Sequence, residues 1–284
     1  MVRVNGLDTE DFARDVEALA GLAIDGIYVP KVESADTLEE AVRVLDEMRP
    51  GLCIVATIET ARGLTAVEDI AAVPGIQGLF FGSGDFSLST GIEISRESLL
   101  YPRARIAVAA AAYGLQPVDV AFFRDVKDAD AAREDALAAR ALGFTGKVVF
   151  HPAQVDPVNA AFTPEAGEVA RAERIIEAYH ASAKEGRGVF LLDGEFVAID
   201  IMLMAERTLA RARAAGLRAA WLMSRLHAFD LLKCGLNADC LPVLDVPVEG
   251  AHDVIGSRAY GITPDVVCAL GAAASEGLKA GGML

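Results

Sequence analysis

The 284-residue sequence predicts an α/β fold, a parallel sheet with helices packed outside it, wound either as an α/β barrel or as a doubly wound sheet. Three observations carry this. Short β-branched runs alternate with longer helical segments, the arrangement of successive βαβ units. The midpoints Ile27, Ile54, Leu79, Val118 and Val148 are spaced by 27, 25, 39 and 30 residues, against the roughly 30 that one such unit needs. Hydrophobic residues make up 53% of the chain and aromatics only 6%, a composition suited to helices lying close over a sheet.

In chain order, strands are expected at 2–5, 26–30, 52–58, 78–81, 116–121 and 147–150. Helices are expected between them at 9–22, 37–48, 66–72, 96–113 and 128–142. Barrel closure takes eight strands, so six leave a barrel incomplete. Beyond residue 150 the pattern changes. A helix over 163–184 starts with Thr163 as N-cap and Pro164 in the first turn. Two apolar arms around Asp193-Gly194 form a hairpin over 189–197. A helix over 198–215 ends at Gly216, and the tail adds a helix at 219–233, a strand at 238–244 and a last helix at 264–280. These features divide the chain into 1–162, 163–216 and 217–284.

With 26 basic and 41 acidic residues the net charge is −15, which argues against a nucleic-acid partner, because phosphate backbones are repelled. No apolar run reaches the length of a membrane span, so no membrane association is expected. The first residues lack a signal-peptide layout. The four cysteines are widely spaced, consistent with a reducing cytoplasm and with neither a disulfide framework nor a zinc site.

In parallel α/β folds, chemistry gathers at the C-terminal ends of the strands. The polar residues found there are Arg3 and Asn5, Lys31 and Glu33, Glu59 and Arg62, Ser83 and Asp85, Asp119, and His151 with Gln154. Glu59 and Asp85 end successive strands, and adjacent strands lie about 4.8 Å apart, so both carboxylates can face one hard cation. Oxygen donors without His or Cys favour Mg²⁺ or Mn²⁺, with water and substrate completing the coordination. Each carboxylate taken alone reads equally as a helix cap or a surface ion pair.

Five motifs occur in order: Val2-Arg3-Val4-Asn5, Val29-Pro30-Lys31-Val32-Glu33-Ser34, Ile58-Glu59-Thr60-Ala61-Arg62-Gly63, Phe81-Gly82-Ser83-Gly84-Asp85 and His151-Pro152-Ala153-Gln154. Over about residues 2–210 the chain resembles the HpcH/HpaI aldolase and citrate lyase family, in particular its citrate lyase β-subunit-like branch with malyl-CoA and citramalyl-CoA lyases. The resemblance implies an incomplete TIM-type barrel of the pyruvate/phosphoenolpyruvate-binding kind, carrying a helix and β-hairpin extension. It implies a trimer-like homo-oligomer and Mg²⁺-dependent carbon–carbon cleavage of an acyl-CoA, with a 2-oxo acid as partner substrate. Residue by residue, it implies Glu59 and Asp85 as metal ligands and Arg3 as the group that binds the substrate's oxygens and stabilises the enolate. Asp200 falls where relatives carry an acid donated into a neighbouring subunit. Lys31, Arg62 and Ser83 are candidates for substrate binding or for supporting the ligands; Lys31 would approach the carboxylates or pair with Glu33. Relatives begin with two further strands and with basic residues that help hold CoA, so an activity impaired by an open site is expected.

The tail resembles a different family. Cys240-Leu241-Pro242-Val243-Leu244-Asp245-Val246-Pro247 and Ala251-His252-Asp253-Val254-Ile255-Gly256-Ser257-Arg258 are similar to glycoside hydrolase family 3, specifically bacterial β-N-acetylhexosaminidases. The match covers an inner fragment of that second α/β barrel, with Ser257 where an Asp is the rule. No position matches either catalytic group that a retaining glycosidase needs, so Asp245, Asp253 and Arg258 read as loop-capping residues. The leading expectation is therefore an acyl-CoA lyase. A glycoside hydrolase-derived hexosaminidase and an inactive fusion of two incomplete barrels are the alternatives.

Overall fold

The computed structural model describes residues 1–120, 125–236, 242, 244–246 and 259–283. The chain packs as two compact units, Met1–Phe162 and Thr163–Leu284.

The first unit is built on six parallel strands: β1 (Val2–Arg3), β2 (Gly26–Val29), β3 (Cys53–Ile58), β4 (Gly78–Phe81), β5 (Gln116–Val120) and β6 (Gly146–Val148). They lie side by side in sequence order. Every crossover therefore advances the sheet in one direction, which is barrel winding; a doubly wound sheet reverses part-way. Among the described residues β1 and β6 do not pair, so the barrel is open. The strands are shorter than the sequence suggests at several ends, and residue 121 of the fifth lies outside the described residues.

Strand alternation sorts the side chains. Ile27 and Val29, Ile54, Ala56 and Ile58, and Leu79 and Phe81 are buried and face the helices. Tyr28, Thr57, Phe80, Val120 and Val148 face the barrel interior. The register fixes which is which, with Tyr28 beside Val55, Phe80 beside Thr57 and Val118, and Val120 beside Val148.

The outer layer holds α1 (Glu10–Leu19), α2 (Ala35–Met48), α3 (Ala61–Thr65), α4 (Val67–Ala71), α5 (Ser83–Thr90), α6 (Arg96–Ala112), α7 (Ala129–Ala141) and α8 (Val155–Phe162). Local sequence sets their starts. Ser34 Oγ accepts from the Thr37 amide at α2, Ser95 and Ser98 form a capping box at α6, and Asp128 accepts from Ala131 at α7. The helix expected at 66–72 is α4, and neither α3 before it nor α5 was expected from sequence.

In the second unit, α9 (Ala166–Lys184) begins later than expected. Its N-cap is Glu165, whose amide donates to Glu168 Oε2 at 3.0 Å, not Thr163. The hairpin of β7 (Phe190–Leu192) and β8 (Glu195–Val197) turns at Asp193 and Gly194, with φ of 53° and 84°. Two consecutive positive φ values explain the Asp-Gly pair.

The expected stop at Gly216 is not there. Helix α10 (Ile199–Lys233) runs straight through it, absorbing the helix expected at 219–233. A glycine inside a helix costs only about 1 kcal/mol, which packing can offset. Here α11 (Pro264–Ala280) lies against α10, with Leu270 Cδ2 4.0 Å from where a Cβ of Gly216 would sit. Further along, a Cβ on Gly277 would come within 2.2 Å of the Trp221 carbonyl oxygen, so the two backbones touch. The boundary expected at 216–217 thus falls inside one continuous helix. The strand expected at 238–244 lies mostly outside the described residues.

Candidate metal and substrate site

Residues in or just after all six strands line the site. Glu59 follows β3 directly and is only 4% exposed. Its Oε1 accepts from the Lys31 amide at 2.9 Å. Asp85 sits in the first turn of α5, just after β4, where the free helical amides favour negative charge. Arg3 reaches the same space from β1. Together with Ser83, Thr57, Tyr28, Phe80 and Phe150 they line a cavity of about 490 Å³. Its polar groups are gathered around Glu59 and Asp85, and its remaining wall is aromatic and aliphatic.

Electrostatics single out Glu59. Burial pushes its carboxyl above the ordinary range, and the neighbouring Asp85 charge pushes the same way. The Lys31 amide and the Arg3 guanidinium oppose them without cancelling them. Two carboxylates this close repel when both are ionised, so the pair binds either a proton or a cation well. Among the described residues no three His, Cys, Asp or Glu side chains converge. A pair of carboxylates with space beside it suits Mg²⁺, which keeps several waters and takes one or two protein carboxylates.

The model of the HpcH/HpaI aldolase/citrate lyase family matches residues 1–152, the stretch that contains every one of these groups. The chain belongs to the HpcH/HpaI aldolase and citrate lyase family. It is 36% identical over 217 residues to a (3S)-malyl-CoA thioesterase of Cereibacter sphaeroides, covering 75% of this chain and 74% of that protein. It is 33% identical over 210 residues to a citrate lyase subunit beta-like protein of Deinococcus radiodurans, covering 73% of each. Among solved structures it resembles CitE of Mycobacterium tuberculosis in complex with magnesium, acetoacetate and coenzyme A. That likeness has a TM-score of 0.63 at 33% identity and covers 74% of this chain and 77% of that one.

Of the family-implied residues, Arg3, Glu59, Ser83 and Asp85 come together in the cavity. Lys31 takes part through its backbone only. Its side chain is exposed and is not on the cavity wall, and Glu33 lies by Arg62 instead, 3.8 Å from Nε. Arg62 itself is 78% exposed on α3 and is not on the wall. Asp200 belongs to the second unit, exposed in the first turn of α10.

Asp119, a strand-end carboxylate, points away from the cavity. It is fully buried against Arg103 and Lys147, and both cations also contact Asp135, giving two positive and two negative charges between β5, β6, α6 and α7. His151 caps a turn, its Nδ1 accepting from the Ala153 amide at 3.1 Å, and buried Gln154 accepts from the Phe150 amide. The aromatic wall of Tyr28, Phe80 and Phe150 escaped the sequence reading. Its signal was present in the strand alternation, since Tyr28 and Phe80 share a parity with Thr57.

In the tail, Asp245 is exposed, whereas Asp253, Ser257 and Arg258 lie outside the described residues. Among the described residues no helix is long and apolar enough to cross a membrane.

Proposed function

We propose that this chain is a Mg²⁺-dependent lyase that breaks or forms the carbon–carbon bond of a β-hydroxyacyl-CoA of the malyl-CoA or citramalyl-CoA class. The observation that carries the reading is the Glu59–Asp85 pair beside Arg3 in one cavity. Glu59 and Asp85 would hold the ion through hard oxygen donors. When bound, Mg²⁺ supplies positive charge that lowers the energy of negative charge on a substrate oxygen. Arg3, the guanidinium on the cavity wall, grips a planar carboxylate or carbonyl oxygen through its forked N–H donors. The apolar wall formed by Phe80, Val120, Val148 and Phe150 lowers the local polarity beside these groups, which strengthens both interactions.

A proton must also move at the acetyl carbon, and Asp200 is the group we assign to it, reaching into the cavity of a neighbouring copy in a trimer-like assembly. Cross-strand partners Leu191 and Phe196, with Ile199 and Leu203 on the first turns of α10, leave exposed apolar surface near Asp200. Such surface supports contact with another copy.

The thioesterase name of the Cereibacter sphaeroides relative favours a second reading, hydrolysis of the thioester. Product analysis with malyl-CoA separates the two. Acetyl-CoA plus glyoxylate supports the lyase, and malate plus free CoA supports the thioesterase. Glu59→Gln is expected to abolish Mg²⁺ binding by calorimetry and turnover together; undiminished cleavage by that variant would overturn the assignment.

A further inference from the structure

Lys31 is one of two described non-glycine residues with positive φ, at 49°; the other, Asp193, sits in the hairpin turn. A lysine gains nothing locally from the left-handed region, where its Cβ crowds the following carbonyl. Such strain persists only where the surroundings enforce it. Here they do. The Lys31 amide donates to Glu59 Oε1 at 2.9 Å, and the next amide, Val32, donates to the Thr57 carbonyl at 3.1 Å. The left-handed residue aims two successive N–H groups at the end of β3, one at the side-chain carboxylate and one at the backbone.

Two glycines close the arrangement. A Cβ on Gly63 would fall 2.5 Å from the Val32 carbonyl oxygen, so the first turn of α3 sits directly on this loop. A Cβ on Gly82 would fall 2.7 Å from both Cβ and Oε2 of Glu59, so the strand end of β4 bounds the carboxylate on its other side. One oxygen is thus tied by an amide and the other bordered by bare backbone.

We propose that Lys31 is a positioning residue whose left-handed backbone, not its ammonium group, sets the Glu59 carboxylate in the orientation that meets a divalent cation. The inference rests on the reading of Glu59 as a metal ligand. It separates backbone from side chain at one position. Glycine adopts the same φ freely and keeps the amide, while a β-branched residue resists that φ.

The test is calorimetric titration with Mg²⁺ of the full-length wild type, Lys31→Gly, Lys31→Val and Gly82→Ala, with folding of each checked by circular dichroism. Lys31→Gly is expected to bind Mg²⁺ as tightly as wild type, whereas Lys31→Val and Gly82→Ala are expected to bind about tenfold more weakly. Weakened binding in Lys31→Gly, or unchanged binding in a folded Lys31→Val, overturns the inference while leaving the metal reading intact. If Lys31→Val does not fold, Lys31→Gly and Gly82→Ala decide. A wild-type chain that binds no Mg²⁺ overturns the functional reading and this inference with it.

Discussion

Replacing Lys147 with methionine keeps the length and apolar body of the side chain and removes its charge. The side chain is 0% exposed, and its Nζ contacts Asp119, Asp135 at 2.7 Å and the Val120 carbonyl at 2.9 Å. In the variant the buried cluster falls from two cations and two anions to one cation and two anions. Arg103 remains, holding Asp119 at 3.0 Å and Asp135 at 3.0 Å, and Asp135 keeps some solvent. Breaking a buried pair by removing one partner costs about 3–5 kcal/mol, and the surviving arginine places this case near 3. For a unit of this size each kcal/mol lowers Tm by about 2–4 °C, so a drop of about 6–12 °C is expected. Differential scanning calorimetry at neutral pH measures it. The double variant Lys147→Met with Asp135→Asn restores charge balance and should recover more than half of the loss. A fall smaller than about 1 kcal/mol, or no recovery in the double variant, would refute the reasoning, because surface pairs alone are worth that little.

Two further outcomes follow from the structure. The raised carboxyl of Glu59 means that the folded chain binds a proton there more tightly than the unfolded chain, so this group's contribution to stability falls as pH rises through the gap between the two values. Glu59→Gln removes that loss, because the amide oxygen still accepts from Lys31 and the amide nitrogen donates towards Asp85. Without Mg²⁺, its Tm advantage over wild type should be absent at acid pH and grow towards neutrality; a difference independent of pH would count against it. In the second unit, Gly277→Ala places a methyl 2.2 Å from the Trp221 carbonyl oxygen and should cost about 1–3 kcal/mol by forcing α11 off α10. Urea unfolding followed by far-ultraviolet circular dichroism measures this, and a variant as stable as wild type would mean that the helices do not touch there.

Much of the first unit was legible because its signals are local. A buried parallel strand reads as a short β-branched run, and the helical segments between such runs follow from the βαβ repeat. The hairpin at Asp193-Gly194 was legible because two positive φ values restrict the choice of residue. Less local features were missed. Nothing in its own sequence says that the short α5 forms after Gly82, and Gly216 looked like a stop because its neighbour α11 is about 50 residues away in sequence.

The site shows the same division. Sequence alone put Arg3, Glu59, Ser83 and Asp85 near strand ends, because the βαβ repeat dictates where a strand stops and its loop begins. It also put Asp119 there on equal terms. Only the ladder register decided that Val118 and Val120 face the interior and Asp119 the helices, since a shift of one residue exchanges the two faces of a strand. That the Lys31 amide meets Glu59 likewise comes from the fold. A side chain can be read from a sequence, but the direction of an amide depends on φ, and the φ of residue 31 is imposed by β3, α3 and the end of β4 closing around it.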